Sequence, residues 1–135
     1  MKKILMALAI AGSLVSCNNN KAQVEELEQE VLQLHDDVMA KMSDLAKYED
    51  ALAKRVADTT ALLDSVARIE MDSTRARVLR AHQGMLNWMR DYNPPSVDES
   101  AEAAKAYLEE QKNKMQKLKE LTNKSLDEAA AILNE

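Results

Sequence analysis

A chain of 135 residues with 18 basic against 23 acidic side chains, two glycines, two prolines and no phenylalanine has room for one modest core and few residues that favour turns or strands. Its net charge of −5, with no basic run, excludes the electrostatic footprint that nucleic-acid binding requires. Abundant Ala, Leu, Glu and Lys favour helix along most of its length.

Lys2 and Lys3 form a positive n-region, and residues 4–14 form an apolar stretch interrupted only by Gly12 and Ser13. That stretch falls short of the roughly 20 apolar residues a spanning helix needs, and it matches the h-region of a secretory signal peptide. It ends in Leu14-Val15-Ser16-Cys17, similar to the lipobox of bacterial lipoproteins, in which the cysteine is acylated and the chain is cut before it. The alternative is an ordinary signal peptide that leaves Cys17 as a free or disulfide-forming thiol. A lone cysteine in an exported chain calls for an explanation, and lipidation supplies one. The expected organisation is a cleaved signal peptide over 1–16, a lipidated Cys17 with a short polar tether to residue 21, and one helical domain over 22–135. Without Lys2 and Lys3 the balance is 16 basic to 23 acidic residues, a net charge of −7. Asn18 stands where aspartate would retain a lipoprotein in the inner membrane, and no acidic pair follows Lys21 near the cysteine. Both features point to the outer membrane, facing the periplasm.

From Val24 the apolar series Val24, Leu27, Val31, Leu34, Val38, Leu45, Tyr48 and Leu52 keeps the alternating three-and-four spacing of a heptad stripe. Val56, Leu63 and Val66 extend it, with Lys41, Arg55 and Thr59 as polar intrusions. Two positions remain open for the first break, Asp58-Thr59-Thr60 and Asp72-Ser73, and neither carries a capping box. The second is suggested by a change of buried face, because Val78, Met85, Met89 and Tyr92 lie opposite Leu62, Val66 and Ile69 on a helix. Asn93-Pro94-Pro95 ends the next helix, since proline lacks the amide donor and restrains its predecessor. Ser96 and Glu99 form a capping box that starts a last helix over about 97–133, burying Ala104, Leu108, Met115, Leu118, Ala129 and Ile132. The fold class is all-α. A break near residue 58 gives three helices about 50 Å long, and equal lengths favour an antiparallel three-helix bundle. A break near residue 72 gives instead a rod with a shorter hairpin along it.

Trp88, the single tryptophan, follows Gly84 by one turn and neighbours Met85 and Met89. It reads as a core anchor, joined by Tyr92 and Pro94-Pro95, in preference to a binding-surface aromatic. Each histidine is accompanied by two methionines, His35 by Met39 and Met42, and His82 by Met85 and Met89, each trio within an arc of roughly 60°. Imidazole and thioether suit Cu(I), provided the trios face each other; otherwise these residues border the apolar seam. The carboxylate pairs Asp36-Asp37, Glu49-Asp50, Asp98-Glu99 and Glu109-Glu110 diverge by about 100° on a helix and read as solvated faces. No nucleophile elbow, phosphate-cradling glycine loop or zinc-ligand spacing occurs. The expectation is a protein without a catalytic residue and without a cofactor.

The lipobox together with "HDDVMAKMSDL" (35–45), "GMLNWMRDYNPP" (84–95) and "AYLEEQKNKMQKLKEL" (106–121) resembles a family of small Bacteroidota lipoproteins. Its members are often labelled "viral A-type inclusion protein", a label that reflects coiled-coil similarity and implies no viral role. The resemblance covers most of the chain after Cys17, least distinctively over about 50–75. It implies an anchored helical fold and carries no established activity. Members often carry proline where this chain has Ala40, so the helix kink the family implies there is not expected of this chain.

Two classes of function follow. One is a lipid-held structural or interaction module that binds the membrane through Cys17 and meets an envelope protein or a second copy of itself. The other is a periplasmic copper or small-ligand binder that uses His35, Met39, Met42, His82, Met85 and Met89.

Overall fold

The structure, a computed structural model, describes residues 14–58 and 64–134. They form four helices and, among the described residues, no strand: α1 (Leu14–Met39), α2 (Met42–Ala57), α3 (Ser65–Asp91) and α4 (Ala101–Asn134). Helices α1 and α2 make one kinked arm, so the architecture is an all-α three-helix bundle. The arm and α4 run parallel: Lys105 meets Gln23, Lys112 meets Glu30, Lys119 meets Asp37 and Lys41 meets Asn123, each across 82 residues. Helix α3 returns antiparallel between them, with Arg75 beside Glu49 of α2 and Arg77 bound to Glu128 of α4.

The first break lies at the earlier of the two positions. Helix α2 ends at Ala57, where the Asp58 amide still donates to the Lys54 carbonyl at 3.0 Å. Helix α3 starts under Asp64, whose side chain accepts from the Ala67 amide at 2.8 Å. That is an N-cap without a capping box. Arg68 then donates to the Val56 carbonyl at 2.5 Å, satisfying an acceptor at the end of α2. Asp72-Ser73 lies inside α3, and no break occurs there. The change of face has another origin: Val66 and Ile69 are 70% and 69% exposed, so the stripe does not continue onto them. Leu62 and Leu63 lie outside the described residues.

Two further boundaries differ from expectation. Ser96-Glu99 forms a turn closed by the Glu99 amide on the Ser96 carbonyl, and Ser100 caps α4 by accepting from the Ala103 amide at 3.2 Å. Residues 18–21 belong to α1 and form no extended tether. The arm bends at Ala40-Lys41, where the Lys41 amide reaches back only three residues, to Val38.

The core follows the heptads. Val31, Val38, Leu45 and Leu52, spaced by seven, are fully buried. One cluster joins Leu45 and Leu52 to Val78, Ala81 and Ala129, and another joins Val38 to Met85 and Met115. On α4, Ala104, Leu108, Met115 and Ala129 are buried as expected, whereas Leu118 and Ile132 are half-buried. Gln111, Thr122 and Ser125 are buried polar residues that the apolar pattern did not mark.

Candidate functional site

Cys17 lies in the first turns of α1. The n-region and most of the h-region fall outside the described residues. Among the described residues no helix is long and apolar enough to cross a membrane.

A row of rings crosses the bundle near that end. His35 lies 5.7 Å from Trp88, Trp88 stacks on Tyr92 at 4.6 Å, and Tyr92 lies 6.2 Å from Tyr107. The Tyr107 hydroxyl accepts from the Asn93 amide at 3.0 Å, which ties the loop after α3 to α4. Tyr92's hydroxyl is buried without a partner among the described residues. Its burial, with Glu28 and Tyr107 nearby, pushes the phenol above its ordinary pKa.

Trp88 is half-buried at the edge of the Val38–Met85–Met115 cluster, and its Nε1–H donates to Gln111 Oε1 at 3.0 Å. The expected core anchor is therefore also part of a surface groove between α3 and α4. Leu118, and not the indole, takes the space over Gly84: a Cβ at that glycine would stand 2.9 Å from Leu118 Cδ1. The groove has a volume of about 450 Å³, with Gly84, Trp88, Gln111, Leu118 and Leu121 along it and Lys114, Lys117 and Asp91 also lining it.

The two His/Met trios are partly united. Met42, Met85 and Met89 join the cluster around Val38 and Met115. His35 lies on Trp88 and its Nδ1 is 2.9 Å from Asp36, His82 is half-buried, and Met39 is exposed. Among the described residues no three of His, Cys, Asp and Glu gather to hold a metal.

The carboxylate pairs split by face. Asp37 pairs with Lys119 at 2.6 Å and Glu49 with Arg75 at 3.6 Å across helices, while Asp36 and Asp50 stay exposed. The hydrogen bond from Lys119, then that from Gln33, holds the Asp37 carboxyl below its ordinary value. Sequence reasoning missed Gln111, Leu118's role and this ladder. A signal for the ladder existed: Lys105, Lys112 and Lys119 recur every seven residues, as do Gln23, Glu30 and Asp37.

Comparison with protein-family models, curated proteins and solved structures finds no match to this chain.

Proposed function

We propose that this chain is a lipoprotein of the bacterial cell envelope, held in the outer membrane by acylated Cys17, whose helical bundle serves as a structural or interaction module. The observation that carries the reading is Leu14-Val15-Ser16-Cys17 directly after a charged n-region and a short apolar run. One acyl chain binds a membrane marginally, whereas the two or three on a lipoprotein cysteine anchor it stably. Cleavage before Cys17 makes the lipidated residue the first of α1, so the anchor is joined to a helix and not to a flexible leader. The reading is non-enzymatic, and the partner is an envelope protein or a second copy.

The test is metabolic labelling with an alkyne-tagged fatty acid, membrane fractionation by density, and crosslinking in cells. Label on the wild-type chain in the outer-membrane fraction, lost with Cys17→Ala, is the expected result. An unlabelled chain in the soluble fraction overturns the anchor. A heterologous crosslink captured only with Cys17 intact supports an adaptor, whereas self-links alone point to homotypic assembly.

The gathering of Met42, Met85 and Met89 in one cluster favours a second reading, a soft-metal site completed by His35 or His82. A rise in melting temperature on adding Cu(I), lost when Met42 and Met89 are both changed to leucine, tests it.

A further inference from the structure

The groove between α3 and α4 contains a polar group whose bonding is incomplete. Gln111 is only 6% exposed. An indole N–H can only donate, so the bond from Trp88 Nε1 at 3.0 Å fixes the Gln111 oxygen toward the indole. The amide nitrogen is thereby turned from the indole, and it has no partner among the described residues. It is not sealed in the core, and Gln111 lines the groove. It is therefore a donor open to the groove, where water or a bound acceptor can take its hydrogen bond.

The rest of the groove states what that acceptor belongs to. Leu118, packed over Gly84, together with Leu121 and the indole edge supplies apolar wall. The rim is cationic on balance. Lys117 makes no ion pair among the described residues, Lys114 holds Glu110 at 2.6 Å, and Asp91 is engaged by Arg90 at 3.0 Å. A volume of about 450 Å³ lies toward the lower end of the range for small-ligand sites. It is large enough for a single alkyl chain with its headgroup at the rim. We propose that this groove binds a medium-chain fatty carboxylate: the carboxylate accepts from the Gln111 amide beneath the lysine rim, and the alkyl chain lies along Leu118 and Leu121. The site is separate from any anchoring at Cys17, and its test uses no lipidation.

Trp88, the only tryptophan, is the probe. The purified full chain is titrated with 11-bromoundecanoate below its micelle concentration, reading quenching of tryptophan emission, with decanoate as competitor. Saturable quenching that decanoate reverses is expected, with decanol, the same chain without the charge, at least about tenfold weaker. Lys117→Glu, on the exposed rim, should weaken binding about tenfold with an unchanged circular dichroism spectrum. Gly84→Leu, whose side chain would drive Leu118 off Gly84 and into the groove, should weaken it. Non-saturating quenching, or equal affinity for decanol, overturns the proposal. So does a Lys117→Glu chain that binds as the wild type does, which keeps the test decisive even where Gly84→Leu fails to fold.

Discussion

Replacing Thr122 by valine should stabilise the protein. Thr122 is fully buried on α4, and its Oγ1 has no hydrogen-bond partner among the described residues. A buried, unpaired hydroxyl forfeits its hydration at a cost of about 1–3 kcal/mol. Valine has nearly the same shape and, in a helix, nearly the same intrinsic propensity, so the exchange removes the penalty without opening a cavity. Occasional rotation of the hydroxyl toward the carbonyl one turn back recovers part of that cost, which sets the expected gain near the lower end, about 1 kcal/mol. For a chain of this size that corresponds to a rise of about 4 °C in Tm. Urea unfolding followed by helical circular dichroism should show a higher midpoint with an unchanged slope. Thr122→Ser is the control: it keeps the hydroxyl and deletes a methyl, and it should cost about 1 kcal/mol. A destabilised Thr122→Val would refute the reasoning, because it would mean that the hydroxyl is bonded in solution and that the packing of α4 depends on it.

Leu45→Ala, in the fully buried layer with Leu52, Val78, Ala81 and Ala129, should cost about 3–4 kcal/mol in the same unfolding assay. Lys112→Glu sets two carboxylates against each other where Glu30 now pairs. It should cost about 1 kcal/mol at low salt and less at high salt, and Glu30→Lys in the same chain should restore most of it. Asp37 has a depressed pKa in the folded chain, so its stabilisation is complete above the ordinary carboxylate value and is lost as pH falls through the folded one. Asp37→Asn should therefore flatten the acid limb of a stability-against-pH curve. Tyr92 has the opposite shift for a phenol: its neutral form is favoured by folding, and the benefit disappears as pH rises past the folded value. Tyr92→Phe should remove that alkaline loss.

The heptad stripe made the fold class and much of the core legible, because period-seven burial at Val31, Val38, Leu45 and Leu52 leaves few alternatives to packed helices. The position of the first turn was not legible, since Val66 and Ile69 continue the apolar spacing yet remain exposed, and hydrophobicity alone does not say which side of a stripe meets a neighbour. Asp64 carried a local signal, an N-cap residue, without the glutamate that makes a box conspicuous. The bend at Ala40-Lys41 needs no proline. A straight helix loses about 20° per heptad against a period of seven, and one tighter, 3₁₀-like step gains about 20°. The three-residue bonds on either side of Lys41, from its amide to the Val38 carbonyl and from the Asp44 amide to its own carbonyl, thus shift the stripe back toward phase midway along the arm. Gln111 escaped detection because a glutamine at a core position reads as an error of patterning until the indole across the groove is placed.

The parallel register of the arm and α4 also sets heights. An offset of 82 residues puts Gln111 level with residue 29, twelve residues beyond Cys17 and therefore about 18 Å along the helix axis. The end of α2, forty residues beyond Cys17, is about 60 Å away. The loop between α3 and α4, with Val97 fully exposed, lies at the Cys17 end, and exposed Val66 and Ile69 lie at the other. Under the anchoring proposed above, an upright bundle turns Val97 toward the bilayer and presents Val66 and Ile69 to whatever stands opposite the membrane. The groove then sits clear of the headgroup layer, which extends only about 5–8 Å beyond the hydrocarbon. A two-tailed phospholipid would have to leave the bilayer entirely to reach it, at about 0.8 kcal/mol for each methylene exposed on the way. A single medium-chain carboxylate is soluble enough to arrive through water, so under that anchoring the height of Gln111 agrees with the ligand proposed for the groove.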